Sequence, residues 1–193
     1  MRKNISTLLF VILTALLVTV ASAQEKKTTE PPKPAQSSSQ ELLWGWNSVG
    51  AKLIAMAEDF PEDKYDFKAQ KDERTFGGNL LHVASSYYNM INAIKGSVVG
   101  YSGNDDSLRK KYPAKTDIVK YLKQAVADGA ELIKAQGDSG LTREFKYPWG
   151  GNFMVHGWFG WAGILEHAGE HFGQLVVYYR VNGMIPPESR PKK

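Results

Sequence analysis

Apolar residues recur at helical spacing in four long segments of the chain, and no segment shows a sustained alternation of apolar and polar positions. The four predicted helices run from Ser38 to about Asp59, from Thr75 to about Val99, from Thr116 through the stripe that ends at Ile133, and from about His156 to Val181. The first begins at a capping box, Ser38-x-x-Glu41, and Pro61 prevents its continuation. The last ends at Asn182-Gly183.

These segments predict an all-α protein, a four-helix bundle with long connections between its helices. Connections of roughly a dozen residues can extend ~40 Å, so they permit crossovers as well as simple up-and-down turns. Residues Phe145 to Met154 are a weak candidate for a small hairpin around Gly150-Gly151.

The first residues of the chain have the pattern of a secretory signal peptide. Arg2 and Lys3 precede an apolar run from Leu8 to Val20, and an A-x-A site ends at Ala23. The alternative is an uncleaved membrane anchor, which needs roughly 20 apolar residues to span a bilayer. We therefore expect residues 1–23 to be removed and the protein to be exported, to the periplasm or the medium.

Residues 24–39 contain prolines, charges and a run of serines but no apolar side chain larger than alanine. Such a segment cannot bury enough surface to offset its ordering entropy, so it is predicted to be a flexible linker. The folded unit is then expected at residues 40–187, with a basic tail at 188–193.

Charge and cysteine content exclude several classes of function. The formal charge of +4 includes Arg2 and Lys3 of the signal peptide, and no dense block of basic residues is present, so nucleic acid is not an expected partner. The absence of cysteine excludes disulfides, a thiolate nucleophile, Cys-ligated zinc and a lipid-modified cysteine.

Three of the four histidines are candidates for a metal site. His167 and His171 are four residues apart on the predicted last helix, so they lie one turn apart on the same face. His82 lies on the second helix among small and polar residues. Three neutral imidazoles would leave one open position on a tetrahedral metal, as in a reactive site. Chance spacing on a helix surface is the alternative. His156 is ~16 Å from His167 along the helix, too far to share an ion, and is interpreted as a helix-start or rim residue.

The segment from His167 to His171 also matches H-x-x-E-H, in which Glu170 would be the general base of a zinc peptidase. Only Glu188 could supply a downstream acidic ligand, which disfavours a peptidase. Glu170 remains a candidate proton carrier, with a solvated surface charge as the alternative.

The surroundings of the histidine pair indicate a wet cavity. Gln174 and Tyr178 continue its stripe, while Gly160 and Gly163 precede it and would leave room for a ligand. The tryptophans are interpreted mainly as core packing, with lining of an apolar pocket as the alternative. They are Trp44, Trp46, Trp149, Trp158 and Trp161.

The chain resembles the DinB-like superfamily of small helical proteins. The resemblance is carried by Leu80-Leu81-His82-Val83-Ala84, by His167-x3-His171-Phe172-Gly173-Gln174-Leu175, and by the tail from Tyr178 to Pro187. It implies a four-helix bundle that binds a divalent metal, often zinc or nickel, through His82, His167 and His171. Some relatives transfer low-molecular-weight thiols. Phe172 departs from the pattern, because many relatives have arginine there.

Taken together, these features predict an exported metal-dependent hydrolase or group transferase that acts on a small molecule, with a homodimer as a candidate assembly. The sequence leaves two alternatives open, a non-catalytic module that holds a metal or an apolar ligand and a helical interaction protein without metal.

Overall fold

Four long α-helices and one short hairpin make up most of the described chain. The structure is a computed structural model, and it describes residues 36–97, 105–149 and 151–191. Its helices are α1 (Ser38–Asp59), α2 (Phe76–Ile94), the short α3 (Asp105–Lys111), α4 (Lys115–Thr142) and α5 (Gly157–Val181), with 3₁₀ turns at Glu62–Lys64 and Pro187–Ser189. Strands β1 (Glu144–Lys146) and β2 (Met154–His156) pair antiparallel, with Phe145 opposite Val155. The mostly helical fold and the hairpin predicted from the sequence are both present.

The predicted signal peptide, residues 1–23, and residues 24–35 of the predicted linker lie outside the described residues. Among the helices that the structure describes, none combines the length and the apolar character needed to cross a bilayer.

The first helix spans the predicted residues, but its N-cap is Ser37 rather than Ser38. The capping box is formed by Ser37 and Gln40, because the Ser37 hydroxyl accepts from the Gln40 amide while the Gln40 side chain accepts from the Ser37 amide. Ser39 is buried, and its amide donates to Asp138 Oδ1 over 2.8 Å. The last residues of the predicted linker therefore belong to α1, and the boundary at residue 40 is corrected to residue 37.

One other helix ends earlier than predicted, and one short helix is additional. Helix α2 ends at Ile94 rather than Val99, because Gly96 adopts a φ of +77°, which terminates the helix. Helix α3 was not predicted, since a segment this short has too little apolar periodicity to stand out. Part of the predicted basic tail is held in place, as the Arg190 guanidinium donates to both carboxylate oxygens of Asp59 over 2.6 and 2.8 Å.

The long helices are arranged so that neighbours in sequence are often not neighbours in space. Helices α1 and α2 each pack mainly against α4 and α5, and they contact each other only slightly. The chain thus crosses the bundle between α1 and α2, which the long connections allow. Helices α2 and α5, which carry the three candidate histidines, pack side by side.

The centre of the bundle is built around the fully buried indole of Trp46. Its Nε1–H donates to the carbonyl of Val126 over 2.8 Å, and its ring contacts Tyr87 and Trp161 at centroid distances of 4.3 and 5.3 Å. The indole lies directly against Gly129, where a Cβ atom would be only 2.1 Å from Trp46 Cζ2. This contact joins α1 to α4 and sets their separation.

The hairpin is held against α5 by Phe145. Phe145 is buried, and its ring packs over Gly160 so closely that a Cβ at that position would be 2.5 Å from Cζ. Gly160 was predicted to leave room for a ligand, but it leaves room for this ring instead. The packing places the loop after β1 over the next turn of α5.

We predict that Gly129→Ala destabilises the protein, because its methyl group overlaps a rigid indole that is also fixed by a hydrogen bond. Overpacking of this kind costs about 1–3 kcal/mol. The free energy of unfolding should be measured in urea beside Gly173→Ala, an exposed helical position with no neighbour within 4 Å, where alanine should add about 0.5–1 kcal/mol. A Gly129→Ala protein as stable as the wild type would contradict this account of the core.

Candidate metal centre

Three imidazole rings converge between α2 and α5. His167 Nε2 lies 3.2 Å from His82 Nε2 and 3.2 Å from His171 Nε2. One ligand atom from each of the three histidines can be chosen so that all lie within 4.8 Å of one another. The structure therefore brings together the three histidines that the sequence singled out.

Helix geometry explains the convergence. His167 and His171 are one turn apart on the same face of α5, and this face is turned towards α2. His82 projects from α2 into the gap, where it is 8% exposed, and His171 is 5% exposed. Two ligands thus come from one rigid helix and the third comes from its packed neighbour.

The ring of His171 is oriented by two side-chain amides. Its Nδ1 lies 2.6 Å from Asn79 Oδ1 and 3.1 Å from Gln174 Oε1. Both partners are carbonyl oxygens, which only accept, so Nδ1 carries the proton and Nε2 keeps its lone pair. Asn79 Nδ2 donates to Gln174 Oε1 over 3.0 Å and so fixes the two amides relative to each other. Such outer partners set the tautomer and the direction of a metal-binding imidazole.

The environment keeps the three rings neutral. Burial, the charge of Arg74 and the neighbouring His167 lower the pKa of His82 to about 4. Burial and the two other imidazoles lower the pKa of His171 to about 3. Burial also lowers the pKa of His167, while the Glu170 carboxylate acts in the opposite direction. Neutral imidazole is the form that coordinates a metal.

The donors present fit a divalent transition metal. Nitrogens bound tetrahedrally at 2.0–2.1 Å from zinc lie roughly 3.3 Å apart, close to the two distances found here. Imidazole suits zinc, nickel, copper and iron, so the donor type does not select among them. Within the described residues the group holds three histidines and no carboxylate, so Glu188 does not complete the ligand set of a zinc peptidase.

One side of the histidine cluster opens into a cavity of about 300 Å³. His82 and His167 form its base, Glu166 and Glu170 lie on its rim, and Ser86, Gly163, Tyr147 and Trp149 complete the lining. The hairpin loop brings Tyr147 over Gly163, where a Cβ would lie 3.6 Å from the Tyr147 hydroxyl. Burial, followed by the charge of Glu166, raises the pKa of Tyr147. Gly163 thus leaves room beside the histidines, as the sequence predicted.

The other side of the cluster is closed by Asn79 and Gln174. Beyond Gln174 lies a second cavity of about 540 Å³, lined by Arg74, Gln174 and Tyr178 among other residues. Tyr178 is buried, and its hydroxyl donates to the Arg74 carbonyl. Tyr178 is therefore structural, while Gln174 contacts the site directly.

Several predicted roles are corrected by the structure. Trp44 and Trp158 are 74% and 57% exposed, so they are not core residues, whereas Trp46 and Trp161 are. Trp149 lines the cavity, as the alternative interpretation proposed.

Two residues discussed in the sequence analysis, His156 and Phe172, lie outside the cavity. His156 precedes α5 as its N-cap and lies 3.8 Å from the Glu144 carboxylate, in agreement with a helix-start role. Phe172 packs against the core with Lys52 over its ring, and it does not line the cavity at the histidines.

Two elements of the site carry no clear signal in the sequence. The sequence places Asn79 one turn from His82 on the same helix, although its main contact is with His171. Tyr147 lies on the hairpin loop, and its place in the cavity depends on the packing of Phe145 over Gly160.

Comparisons with known proteins agree with this fold. The family model of the DinB superfamily matches residues 46–175. A crystal structure of a DinB-like protein from Bacillus cereus ATCC 10987 shares 15% identity at a TM-score of 0.63, covering 77% of this chain and 95% of its own. YfiT from Bacillus subtilis, described as a probable metal-dependent hydrolase with an unusual four-helix bundle topology, has 15% identity and a TM-score of 0.63, covering 80% of this chain and 94% of its own.

A DinB-like protein from Bacillus subtilis has 19% identity and a TM-score of 0.59, covering 79% of this chain and 99% of its own. No curated protein sequence matches the chain significantly. At these identities the structural likeness shows the fold.

We predict that the metal-free protein loses stability between pH 7 and pH 5. The folded pKa values of His82 and His171 lie below the unfolded value of about 6.5, so the unfolded chain binds more protons in this range. Stability is fully present about one unit above pH 6.5 and falls as the pH is lowered through 6.5, by roughly 2 kcal/mol at pH 5 for each of the two histidines. Urea unfolding with a chelator present measures it. His171→Gln should reduce the loss, and exposed His156→Gln should not; equal losses in both variants would contradict the prediction.

We also predict that Asn79→Leu weakens metal binding about 10–100-fold, because the His171 ring loses the acceptor that sets its tautomer. Zinc affinity is measured by competition with a chelating dye. Asn79→Asp keeps the acceptor and should retain most of the affinity, and Asn89→Leu on the same helix is the control. Unchanged affinity in Asn79→Leu would show that the hydrogen bond does not orient the ligand.

Proposed function

The chain belongs to the DinB superfamily, and on this premise we propose that it is an exported metal-dependent hydrolase or group transferase. His82, His167 and His171 would hold one divalent cation. The observation that supports this most strongly is the convergence of three neutral imidazoles at the base of an open cavity.

Zinc or nickel is the proposed metal. Three imidazole donors from a rigid scaffold suit either ion, and one coordination position or more would face the cavity. The description of YfiT as a probable metal-dependent hydrolase is consistent with this proposal.

A divalent ion in this site would act as a Lewis acid and lower the pKa of a bound water or substrate group. The side chains of the protein would orient the metal ligands and form the wall of the cavity. Asn79 and Gln174 hold the His171 ring, and Tyr147 and Trp149 of the hairpin loop form part of the cavity wall.

Glu170 is the proposed proton carrier. Its side chain is exposed and lies on the cavity rim, and its charge acts on the pKa of His167. A carboxylate at this point can accept a proton from the attacking group and return it to the leaving group. Hydrolysis and group transfer both need this step. Cytosolic thiol cofactors would be scarce outside the inner membrane, which favours hydrolysis for an exported protein.

The proposal includes export to the periplasm or the medium, supported by the N-terminal sequence pattern of residues 1–23. It also includes a small-molecule substrate, supported by the size of the cavity, and no nucleic-acid or membrane partner for the mature protein. A homodimer is the proposed assembly, to be checked by light scattering.

The function is tested by metal analysis and by kinetics on one protein preparation. We expect one divalent ion per purified chain, less than a tenth of that in His82→Ala and His171→Ala, and full content in the control His156→Ala. With 4-nitrophenyl acetate as a probe ester, Glu170→Gln should keep the metal but lower kcat about 10²–10⁴-fold with little change in KM.

The outcomes separate the alternatives. Metal retained in full by His82→Ala would remove His82 from the site. Stoichiometric metal with a rate that does not depend on His171 would indicate a non-catalytic binding module. Absence of metal in protein refolded with zinc and nickel would favour a helical interaction protein.

A further inference from the structure

Two aromatic rings form a corner in the cavity beside the histidines. The rings of Tyr147 and Trp149 have centroids 5.6 Å apart and planes inclined by 79°. Both side chains are half-buried and line the cavity. Tyr147 stacks on Phe153 at a centroid distance of 5.4 Å, so a ligand can meet only its other face and the face of Trp149, and an aromatic face carries negative potential. This geometry favours a cationic group over a neutral one of the same shape.

The charges on the rim of the cavity also favour a cationic ligand. Glu166 and Glu170 line the cavity, and Glu166 is close enough to the Tyr147 hydroxyl for its charge to act on that group. Among the described residues that line this cavity there is no lysine or arginine. Arg74 lines the second cavity, on the far side of Asn79 and Gln174. A negatively charged substrate would meet two carboxylates and no basic side chain among the described residues that line the cavity.

We propose that the cavity beside His82 and His167 binds a small organic cation, an alkylammonium group held between Tyr147, Trp149 and Glu166. When its nitrogen is quaternary, an alkylammonium group is weakly hydrated, so it loses little by leaving water for an aromatic corner. A volume of about 300 Å³ suits a small molecule. The inference deepens the proposed function, on which it rests for the cavity being the substrate site.

A metal ion in the histidine site would repel an ammonium group, and the layout of the cavity limits this effect. The three imidazoles lie at the base, whereas the aromatic corner is formed by the hairpin loop above Gly163. Glu170 acts on His167 and so lies nearer the metal position, while Glu166 acts on Tyr147 and lies nearer the corner. One carboxylate would therefore balance the metal and the other would remain for the substrate cation.

The test compares choline with 3,3-dimethylbutan-1-ol, which has the same shape and the same hydroxyl group but no charge. Dissociation constants are measured by NMR titration on the purified protein, both with a chelator and after loading with zinc. We expect choline to bind the metal-free protein about tenfold more tightly than the alcohol. The preference should shrink at least threefold in Glu166→Gln and Trp149→Leu, and Trp149→Phe should restore most of it.

The matched control is Glu131→Gln, which removes one exposed carboxylate on α4 outside this cavity and should leave the preference unchanged. Equal binding of the two probes, tighter binding of the alcohol, or no choline binding up to 100 mM would each overturn the inference. If the protein prefers choline but takes up no metal, only the proposed function is refuted. If it takes up metal but binds choline and the alcohol equally, only the inference is refuted.

Discussion

Three imidazole nitrogens in a largely buried gap, with His167 Nε2 only 3.2 Å from each of the other two, are the constraint on which the rest of this structure depends. Neutral nitrogens this close repel through their lone pairs unless a proton or a cation lies between them. His171 cannot relieve the repulsion by placing its proton on Nε2, because Asn79 and Gln174 both accept from Nδ1. Nor is His167 Nδ1 satisfied, since it is buried without a partner among the described residues. A single cation bound by the three imidazoles would remove the repulsion between their Nε2 atoms.

The bundle maintains this arrangement through contacts that are far from the histidines in sequence. The contact of Trp46 with Gly129 sets the distance between α1 and α4. Helix α1 packs against α5, and helix α4 packs against both α2 and α5. The rings of Trp161 and Tyr87, one from each histidine-bearing helix, both pack against the buried indole of Trp46. Large rigid aromatic groups at these positions leave little freedom for α2 and α5 to slide, so the separation of the imidazoles is set by core packing as well as by local geometry.

The parts of the molecule that could be predicted from its sequence are those that depend on local periodicity. The long helices and the alignment of His167 with His171 follow from a repeat of 3.6 residues, and the pairing with His82 required only that two helices face each other. The contact of Asn79 with His171, the exposure of Trp44 and Trp158, and the position of Tyr147 depend on which faces meet, and a single helix does not contain that information. Helix ends were displaced where a glycine or a neighbouring serine offered a better cap, as at Gly96 and Ser37.

The two sides of the histidine cluster differ in a way that bears on whether the site is reactive or only structural. On one side amide groups pack against His171, and on the other an open cavity with exposed carboxylates at its rim leads to His82 and His167. A purely structural metal site is closed by a fourth protein ligand, and the described residues offer none in this group. A storage or stabilising role would also leave the aromatic corner at Tyr147 and Trp149 without purpose, whereas a substrate needs a rigid wall beside the metal to be oriented. The asymmetry therefore favours chemistry at the open face over simple retention of an ion.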